Sequence, residues 1–230
     1  MTEQRTTDEQ PICTPLGARV GCSRIGKALV IGLTGGIADG KTTVCRMFEA
    51  LGAKYVSADG IVHELLVNGT DAWREVVREF GDEILLPDLE IDRRKLGVIV
   101  FNDSEKRRRL EEIVHPRVFS RLAEIARDYR EHCSGILILE IPLLIETSFY
   151  EEIDKIVVVV SEQETQISRL QKRCGMDRET AIRRLASQMP TTEKIRYADW
   201  VISTNTTLAA TSAQVERVYA AAQKLLAQGN

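Results

Sequence analysis

The 230-residue sequence is poor in aromatic residues, which make up 5% of the chain, and it lacks any apolar run of bilayer length. A transmembrane helix needs roughly 20 consecutive apolar residues, so we predict a soluble protein with no membrane partner. An excess of positive charge is also missing, because the formal net charge is −3. Such a chain has no overall attraction for nucleic acid. We therefore predict no nucleic-acid partner. A cytoplasmic location and a monomeric or small homo-oligomeric state are separate expectations that do not follow from the charge.

Nitrogen and sulfur ligands for a transition metal are scarce. The histidines and cysteines of the chain are His63, His115, His132, Cys13, Cys22, Cys45, Cys133 and Cys174. They show no metal-ligand spacing and no C-x-x-C pair, so a resident transition metal is not expected. A chain of this size needs no disulfide framework, and we predict that all five cysteines are reduced.

The first 28 residues are polar and lack the apolar core, about 7 to 15 residues long, that a secretory signal requires. Arginine and threonine in this segment fit a transit peptide weakly, but Glu3, Asp8 and Glu9 argue against that alternative. We predict a flexible N-terminal extension over residues 1–28.

Short apolar runs alternate with segments of helical periodicity over the rest of the chain. Strands are predicted at 28–34, 54–56, 135–142, 154–160 and 200–202, and helices at 41–51, through most of 59–130, and at 165–173, 178–189 and 208–227. Nearly continuous aliphatic runs are typical of strands buried on both faces of a parallel sheet. The alternation predicts an α/β doubly wound domain.

A glycine-rich loop lies between the first predicted strand and the first predicted helix. Residues 35–42 read GGIADGKT and match the pattern G-x-x-x-x-G-K-S/T at every fixed position. Backbone N–H groups of such a loop surround phosphate oxygens, the lysine reaches the β- and γ-phosphates, and the hydroxyl binds Mg²⁺. The nucleotide-binding residues predicted here are Gly35, Gly36, Ile37, Ala38, Asp39, Gly40, Lys41, Thr42 and Thr43. Asp39 is acceptable in this loop only if its side chain points outward, away from the phosphates.

Three classes of nucleotide-binding protein share this loop. A switch GTPase needs D-x-x-G and N-K-x-D segments, and neither occurs. A motor ATPase usually carries Asp or Asp-Glu at the end of an apolar strand, whereas the run Ile136–Leu139 ends at Glu140, followed by Ile141 and Pro142. These observations favour a small-molecule kinase, with a nucleotide-dependent binding protein as the non-enzyme alternative.

A kinase needs a carboxylate for the acceptor hydroxyl and positive charge over the transferred phosphoryl group. Asp59 follows the second predicted strand and therefore emerges at the carboxyl edge of the sheet, although an aspartate here is also a common helix N-cap. Residues 165–198 contain eight lysines or arginines and three acidic residues. This segment predicts a lid, with Arg169 and Arg173 on one helix face as the preferred pair; an ordinary solvated face is the alternative for any single arginine.

Several strings together resemble dephospho-CoA kinases over nearly the whole chain from residue 28 to residue 226. They are Ile31–Ile37 leading into Gly40–Thr43, Ala58-Asp59, Leu96-Gly97 with Val100-Phe101, His115-Pro116, Ile141–Leu144 with Glu146, Arg184–Gln188, and Ala198-Asp199. The phosphate loop alone specifies only a superfamily. The later strings, in this order, are much more specific.

The resemblance implies a P-loop fold with a five-stranded parallel sheet, and ATP and Mg²⁺ as cofactors for phosphorylation of the ribose 3′-hydroxyl of dephospho-coenzyme A. The implied organisation is a nucleotide-binding core over 29–58, 134–164 and 199–230, a substrate-binding helical insertion over 59–133, and a lid over 165–198. A nucleoside monophosphate kinase or another small-metabolite kinase is the alternative.

The resemblance also implies roles for individual residues. Asp59 matches the catalytic carboxylate of the family and Arg169 falls within its lid arginine region, so these two, with Lys41 of the phosphate loop, are the expected catalytic residues. The loop pattern itself gives Thr42 as the metal ligand, and helical spacing gives Arg173 as a further nucleotide contact. The expected substrate-binding residues are Thr34, Asp59, Arg93, His115, Pro142 and Leu143, although packing of a helix-start histidine beside Pro116 explains His115 equally well.

This chain departs from the common family pattern at three places. Ser57-Ala58-Asp59 stands where Asp-Ala-Asp is common, so any supporting role of the first carboxylate is absent or supplied elsewhere. Ala38-Asp39 replaces the usual glycine and serine, and Asn205-Thr206-Thr207 replaces Asn-x-Gly. Nucleotide affinity and the loop beside the adenine are the properties these departures affect.

Overall fold

A computed structural model describes residues 27–228. The predicted extension therefore lies almost wholly outside the described residues. The strands are β1 Ala28–Gly35, β2 Lys54–Ser57, β3 Gly135–Glu140, β4 Lys155–Val160 and β5 Trp200–Ser203. The helices are α1 Lys41–Ala50, α2 Ala58–Leu65, α3 Asp71–Phe80, α4 Arg93–Asn102, α5 Ser104–His132, α6 Gln163–Cys174, α7 Arg178–Ala186, α8 Thr191–Lys194 and α9 Leu208–Gln228.

The strands form one parallel sheet in the order β2-β3-β1-β4-β5. This confirms the predicted α/β fold with a five-stranded parallel sheet. Chain connections diverge to the two sides of the central strand β1, and ligands of open α/β sheets bind at the carboxyl ends of strands beside such a point. The phosphate loop follows β1 and lies at this position.

Both faces of the sheet are buried because aliphatic side chains alternate between them. Val30 and Leu139 pack into a core with helices α2 to α5, whereas Ile31 and Ile138 pack into a second core with α1 and α9. This arrangement explains why the strands read as continuous apolar runs rather than as an alternating pattern. It also holds the carboxyl ends of β1, β2 and β3 side by side, with Leu33 and Ser57 both paired with Glu140.

Helix α5 corrects one expectation about His115. Ser104–His132 is a single helix with Pro116 inside it, so His115 lies within a helix and not at a helix start. Proline lacks an N–H and crowds the preceding turn. The guanidinium of Arg117 donates to the carbonyl of Ile113, in the turn before this proline.

The prediction of reduced cysteines is correct for Cys45 and Cys174, which are free thiols. It is wrong for Cys133, which is disulfide-bonded. A disulfide depends on the proximity of two cysteines in the fold, and the local spacing of cysteines along the chain does not reveal it.

Candidate active site

The phosphate loop has the backbone geometry that its glycines permit. Gly35 has a φ of 154°, and a Cβ atom there would lie 2.4 Å from the carbonyl oxygen of Val159. Gly40 has a φ of 85° and precedes helix α1, which begins at Lys41. Ala38 adopts a φ of 60° without being glycine. The loop therefore curls tightly against β4 and delivers its last residues to a helix N-terminus, where anions bind favourably.

Lys41 folds back onto the loop. Its Nζ donates to the carbonyl oxygens of Gly36, at 2.8 Å, and Gly35, at 3.3 Å. Burial lowers the pKa of Lys41, while the carboxylates of Glu140 and Asp39 act in the opposite direction. The ammonium group is thus held at the loop beside two acidic side chains, where it can meet phosphate oxygens.

The side chain of Asp39 lies inside the protein and is not exposed to water. The expectation that it faces away from the phosphates stays a prediction. The residue is fully buried, and its carboxylate accepts hydrogen bonds of 2.6 Å from the backbone N–H of Gly36 and from the hydroxyl of Ser161. Burial raises the pKa of Asp39, although these two donors counteract the effect. The loop accommodates the carboxylate by supplying hydrogen-bond donors inside the protein instead of exposing it to water.

Glu140 at the end of β3 is a functional candidate that the sequence argument set aside. Its carboxylate accepts a hydrogen bond of 3.0 Å from the hydroxyl of Thr42 and a second one from the hydroxyl of Tyr55. Because Glu140 pairs with Ser57 in the sheet register, it places a carboxylate beside the position at which the sequence analysis noted a serine in place of an expected aspartate. An acidic residue ending an apolar strand was the signal that could have identified it.

One cavity lies on the β2 side of the loop, and we call it the acceptor cavity. It has a volume of about 450 Å³, and Thr42, Asp59, His63, Arg93 and Glu140 are among its lining residues. Burial and the neighbouring Arg93 lower the pKa of His63, and Asp59 opposes them. The cavity therefore collects one exposed carboxylate, one cation and the hydroxyl of Thr42, as a site for a polar acceptor requires. His63 was not predicted.

The position of Asp59 excludes the N-cap alternative. Helix α2 begins at Ala58 with Ser57 as its N-cap, and Asp59 lies in the first turn of this helix. Asp59 is exposed and lines the acceptor cavity. Its carboxylate is thus available to a ligand.

A second cavity lies on the β5 side of the loop, and we call it the nucleotide cavity. It has a volume of about 750 Å³, and its lining includes Gly40, Thr43, Arg169, Arg173 and Arg184. Thr204 and Thr206, which follow β5, close its other side. Consecutive residues in the first turn of α1 line the two cavities, Thr42 the acceptor cavity and Thr43 the nucleotide cavity.

Arg169 lines the nucleotide cavity, but its guanidinium already donates hydrogen bonds to oxygen atoms of the protein. It donates to the carbonyl of Ala38 at 2.9 Å, to the hydroxyl of Thr204 at 3.0 Å and to the carbonyl of Thr204 at 2.9 Å. These bonds tie the phosphate loop to the end of β5. The predicted contact between Arg169 and the transferred phosphoryl group stays a prediction.

Three further arginines of the predicted lid differ in their contacts. Arg178 and Arg183 form exposed ion pairs with Glu164 and Glu179, as the solvated-face alternative describes. Arg184 instead lines the nucleotide cavity, and its guanidinium lies 5.2 Å from the ring centroid of Phe101 in α4. The lid thereby touches the helical segment that follows β2.

Gln188 joins the end of the lid to the phosphate loop, because its Oε1 accepts a hydrogen bond of 3.1 Å from the N–H of Ile37. The carbonyl of Ile37 accepts from Gln166 at 2.9 Å. Sequence reasoning assigned no role to either glutamine. Both are candidates for coupling the lid to the loop.

Four predicted substrate-binding residues are not among those that line the acceptor cavity within the described chain. Thr34 is fully buried and donates to the carbonyl of Pro142 at 3.0 Å. His115 packs against the ring of Phe119, with 5.6 Å between centroids. Direct substrate contacts by Thr34, His115, Pro142 and the half-buried Leu143 stay predictions.

The parallel sheet, the phosphate loop after its central strand, the two cavities beside the start of α1 and the basic segment 165–198 are typical of a P-loop kinase. The family model for dephospho-CoA kinase (CoaE) matches residues 29–210. The chain belongs to the dephospho-CoA kinase family, which catalyses the last step of coenzyme A biosynthesis.

Curated relatives support the same assignment. A dephospho-CoA kinase of Geobacter metallireducens is 47% identical over 189 residues, covering 81% of this chain and 93% of its own length. A dephospho-CoA kinase of Listeria monocytogenes is 43% identical over 185 residues, covering 80% and 92%. The family assignment therefore rests on matches over more than nine tenths of each relative.

Solved structures agree with the sequence relatives. A Thermus thermophilus protein superposes with a TM-score of 0.71 at 30% identity, covering 85% of this chain and 97% of its own. A Campylobacter jejuni dephospho-CoA kinase superposes with a TM-score of 0.62 at 29% identity, covering 88% and 99%. A shikimate kinase of Bacteroides thetaiotaomicron, at 15% identity and a TM-score of 0.50, shows the fold alone. Among the described residues, none of the helices is both long and apolar enough to span a membrane.

Proposed function

We propose that ATP occupies the nucleotide cavity, that the ribose of dephospho-coenzyme A occupies the acceptor cavity, and that the γ-phosphoryl group passes between them at the start of α1. The observation that carries this proposal is that the two cavities are lined by consecutive residues of the first turn of α1, the acceptor cavity by Thr42 and the nucleotide cavity by Thr43. Phosphoryl transfer depends mainly on positioning and electrostatic stabilisation. Two cavities lined by neighbouring residues at a helix N-terminus would supply both.

In this proposal Asp59 orients the 3′-hydroxyl and accepts its proton. The carboxylate is exposed in the acceptor cavity and lies in the first turn of α2. A positioned base contributes about 10²- to 10⁴-fold to a rate. Arg93, at the first position of α4, lines the same cavity and offers a cation to the negatively charged substrate.

Positive charge around the loop neutralises the transferred phosphoryl group. Lys41 lies at the loop itself, and Arg169, Arg173 and Arg184 line the nucleotide cavity. A lid-type arginine contributes about 10³- to 10⁵-fold by analogy with arginine fingers. We assign this role to Arg169, which would exchange its bonds to Ala38 or Thr204 for bonds to phosphate oxygen.

The residues present fit a magnesium ion. Thr42 and Glu140 offer hard oxygen donors joined by one hydrogen bond. Mg²⁺ binds through one or two such groups together with substrate phosphates and water, and needs no cage made wholly of protein. Thr42 would hold the ion with Glu140 behind it, and the bound ion would offset negative charge on the phosphates. The predicted cytoplasmic location and the absence of a nucleic-acid partner belong to the same proposal.

Initial rates measured while both substrates are varied test the two-cavity arrangement. Direct transfer between adjacent cavities predicts intersecting lines in double-reciprocal plots of these rates. It also predicts that the Asp59→Asn variant, already loaded with ATP, binds dephospho-coenzyme A in a calorimetric titration. Parallel lines, which indicate a phosphorylated enzyme intermediate, would contradict the proposal. Rapid ATP hydrolysis without an acceptor would contradict the exclusion of water by the lid.

A further inference from the structure

Lys194, the last residue of α8, is a buried charge at the end of the lid. Its side chain has an exposed fraction of 0%. The ammonium group donates to the carbonyl oxygen of Pro142 at 2.9 Å and lies 2.8 Å from Oε1 of Glu146. Lysine is rarely buried unless it is paired, and here both partners come from the turn that follows β3.

Fold stability alone does not account for such a pair. Desolvation of two charges costs several kcal/mol, and replacing a buried ion pair by apolar residues of similar volume is often neutral or stabilising. A methionine in place of Lys194, together with an uncharged residue in place of Glu146, would fill the same space without that cost. The role of Lys194 is therefore to be sought in where its ammonium group lies and what that group contacts.

The carbonyl of Pro142 accepts a second hydrogen bond of 3.0 Å, from the hydroxyl of Thr34. Thr34 directly precedes Gly35, where the phosphate loop begins. Lys194 thus joins three separate segments: the end of β1, the turn after β3 and the end of the lid. The position of each segment relative to the loop depends on this junction.

The charge of Lys194 also reaches the loop. Burial is the main cause of the lowered pKa of Lys41, and the positive charge of Lys194 acts in the same direction. Glu146 balances that charge, because its carboxylate is only 21% exposed and contacts Lys194 directly. The ammonium groups of Lys41 and Lys194, from different parts of the chain, therefore both place positive charge near the phosphate loop.

We propose that Lys194 is a positioning residue for phosphoryl transfer, whose ammonium group holds the turn Pro142–Glu146 and the end of the lid in place against the phosphate loop. The proposal rests on the function proposed above. Lys194 touches neither substrate in this role. Displacement of reacting groups by about 1 Å can cost about 100-fold in rate, so loss of the junction should reduce turnover more than nucleotide affinity.

The test compares Lys194→Met and Glu146→Gln with Lys155→Met. Lys155 begins β4, at the other end of the sheet strands from the loop, and it forms an ion pair of 2.7 Å with Asp199. It is thus a matched lysine–carboxylate pair outside the site. For each variant, kcat and KM for both substrates are measured, with the Kd of ATP by calorimetry and the melting temperature as separate readouts.

Lys194→Met and Glu146→Gln are expected to lower kcat about 10- to 100-fold with the Kd of ATP within about threefold of wild type, while Lys155→Met keeps kcat within about twofold. Because both residues act through one junction, the double variant should lose no more than Lys194→Met alone. Should Lys194→Met fail to fold, Glu146→Gln, whose side chain is partly exposed, carries the same comparison.

Wild-type kcat in Lys194→Met or, where that variant does not fold, in Glu146→Gln overturns this inference and leaves the proposed function intact. A loss of ATP affinity as large, in fold-change, as the loss of kcat, together with a lowered melting temperature, overturns it as well, because this result indicates a merely structural role. An inactive wild-type enzyme with dephospho-coenzyme A as acceptor overturns the proposed function first, and the inference with it.

Discussion

The hydroxyl of Thr42 donates a hydrogen bond of 3.0 Å to the carboxylate of Glu140. This bond joins the first turn of α1 to the carboxyl end of β3, two elements almost 100 residues apart in the chain. Tyr55 donates to the same carboxylate. Hydrogen bonds from Thr42 and Tyr55 therefore orient the carboxylate of Glu140, as the support of the proposed metal ligand Thr42 requires.

Glu140→Gln is expected to raise the Mg²⁺ concentration needed for half-maximal activity and to lower kcat, each by about 10- to 100-fold, because the supporting carboxylate loses its charge. Activity is measured as a function of Mg²⁺ at saturating substrates. Tyr55→Phe removes one donor and keeps the carboxylate, so its effect should be smaller. An unchanged Mg²⁺ dependence in Glu140→Gln would remove Glu140 from the metal site.

Asp59→Asn is expected to reduce kcat by about 10²- to 10⁴-fold, because the amide cannot accept the proton of the hydroxyl. The Kd of ATP should stay within about threefold of wild type, since Asp59 lines the other cavity. Asp71→Asn is the matched control, because Asp71 also lies at a helix start, is 89% exposed and pairs with Arg74. A wild-type kcat in Asp59→Asn would exclude its role as the base.

Arg169→Ala is expected to lower kcat at least as much as Asp59→Asn, since lid arginines contribute about 10³- to 10⁵-fold in related chemistry. The measurement uses saturating ATP, so that weaker binding does not enter the result. Arg183→Ala, which breaks an exposed lid ion pair with Glu179, should stay near wild type. If Arg169→Ala keeps full turnover at saturating ATP, Arg169 only ties the loop to Thr204.

Asp39→Asn tests the buried carboxylate of the phosphate loop. Burial raises the pKa of Asp39 from an ordinary value of 3.8, so the folded state binds the proton more tightly than the unfolded state. The free energy of unfolding contributed by Asp39 is therefore highest below pH 3.8 and falls as the pH rises through the raised pKa. An amide at this position carries no such cost, and the Asp39→Asn variant should be more stable than wild type at pH 7.

Urea unfolding at pH 7 and pH 5 provides the measurement for Asp39→Asn. The stability advantage of the variant should narrow at the lower pH, and its affinity for ATP at pH 7 should rise about fivefold because a negative charge leaves the loop. A variant less stable than wild type at pH 7, or an advantage independent of pH, would show that the bonds to Gly36 and Ser161 outweigh desolvation.

The local part of the fold could be predicted from the sequence. The first predicted strand, 28–34, differs from Ala28–Gly35 by one residue, and the first predicted helix starts at the observed Lys41. Continuous aliphatic runs and a glycine-rich loop are encoded by neighbouring residues, so a local pattern suffices to locate them. The predicted boundaries of the extension, core, insertion and lid stay predictions.

The parts of the site that depend on distant contacts could not be predicted in this way. Lys194 lies in the polar segment TTEK, which predicts exposure, and only its contacts with Pro142 and Glu146 explain its burial. Likewise, the bonds of Arg169 to Ala38 and Thr204 span 131 and 35 residues of sequence. Spacing placed Arg169 on a lid helix but carried no information about the partner of its guanidinium.

The most direct test of the central claim is the identity of the acceptor. Purified protein is incubated with Mg²⁺ and ATP and, in parallel, with dephospho-coenzyme A, AMP or adenosine, and both ADP and the phosphorylated product are followed by mass. We predict coenzyme A and an equal amount of ADP with dephospho-coenzyme A, and no phosphorylated product with the other two. Phosphorylation of AMP without phosphorylation of dephospho-coenzyme A would contradict the claim and assign the acceptor cavity to a nucleotide.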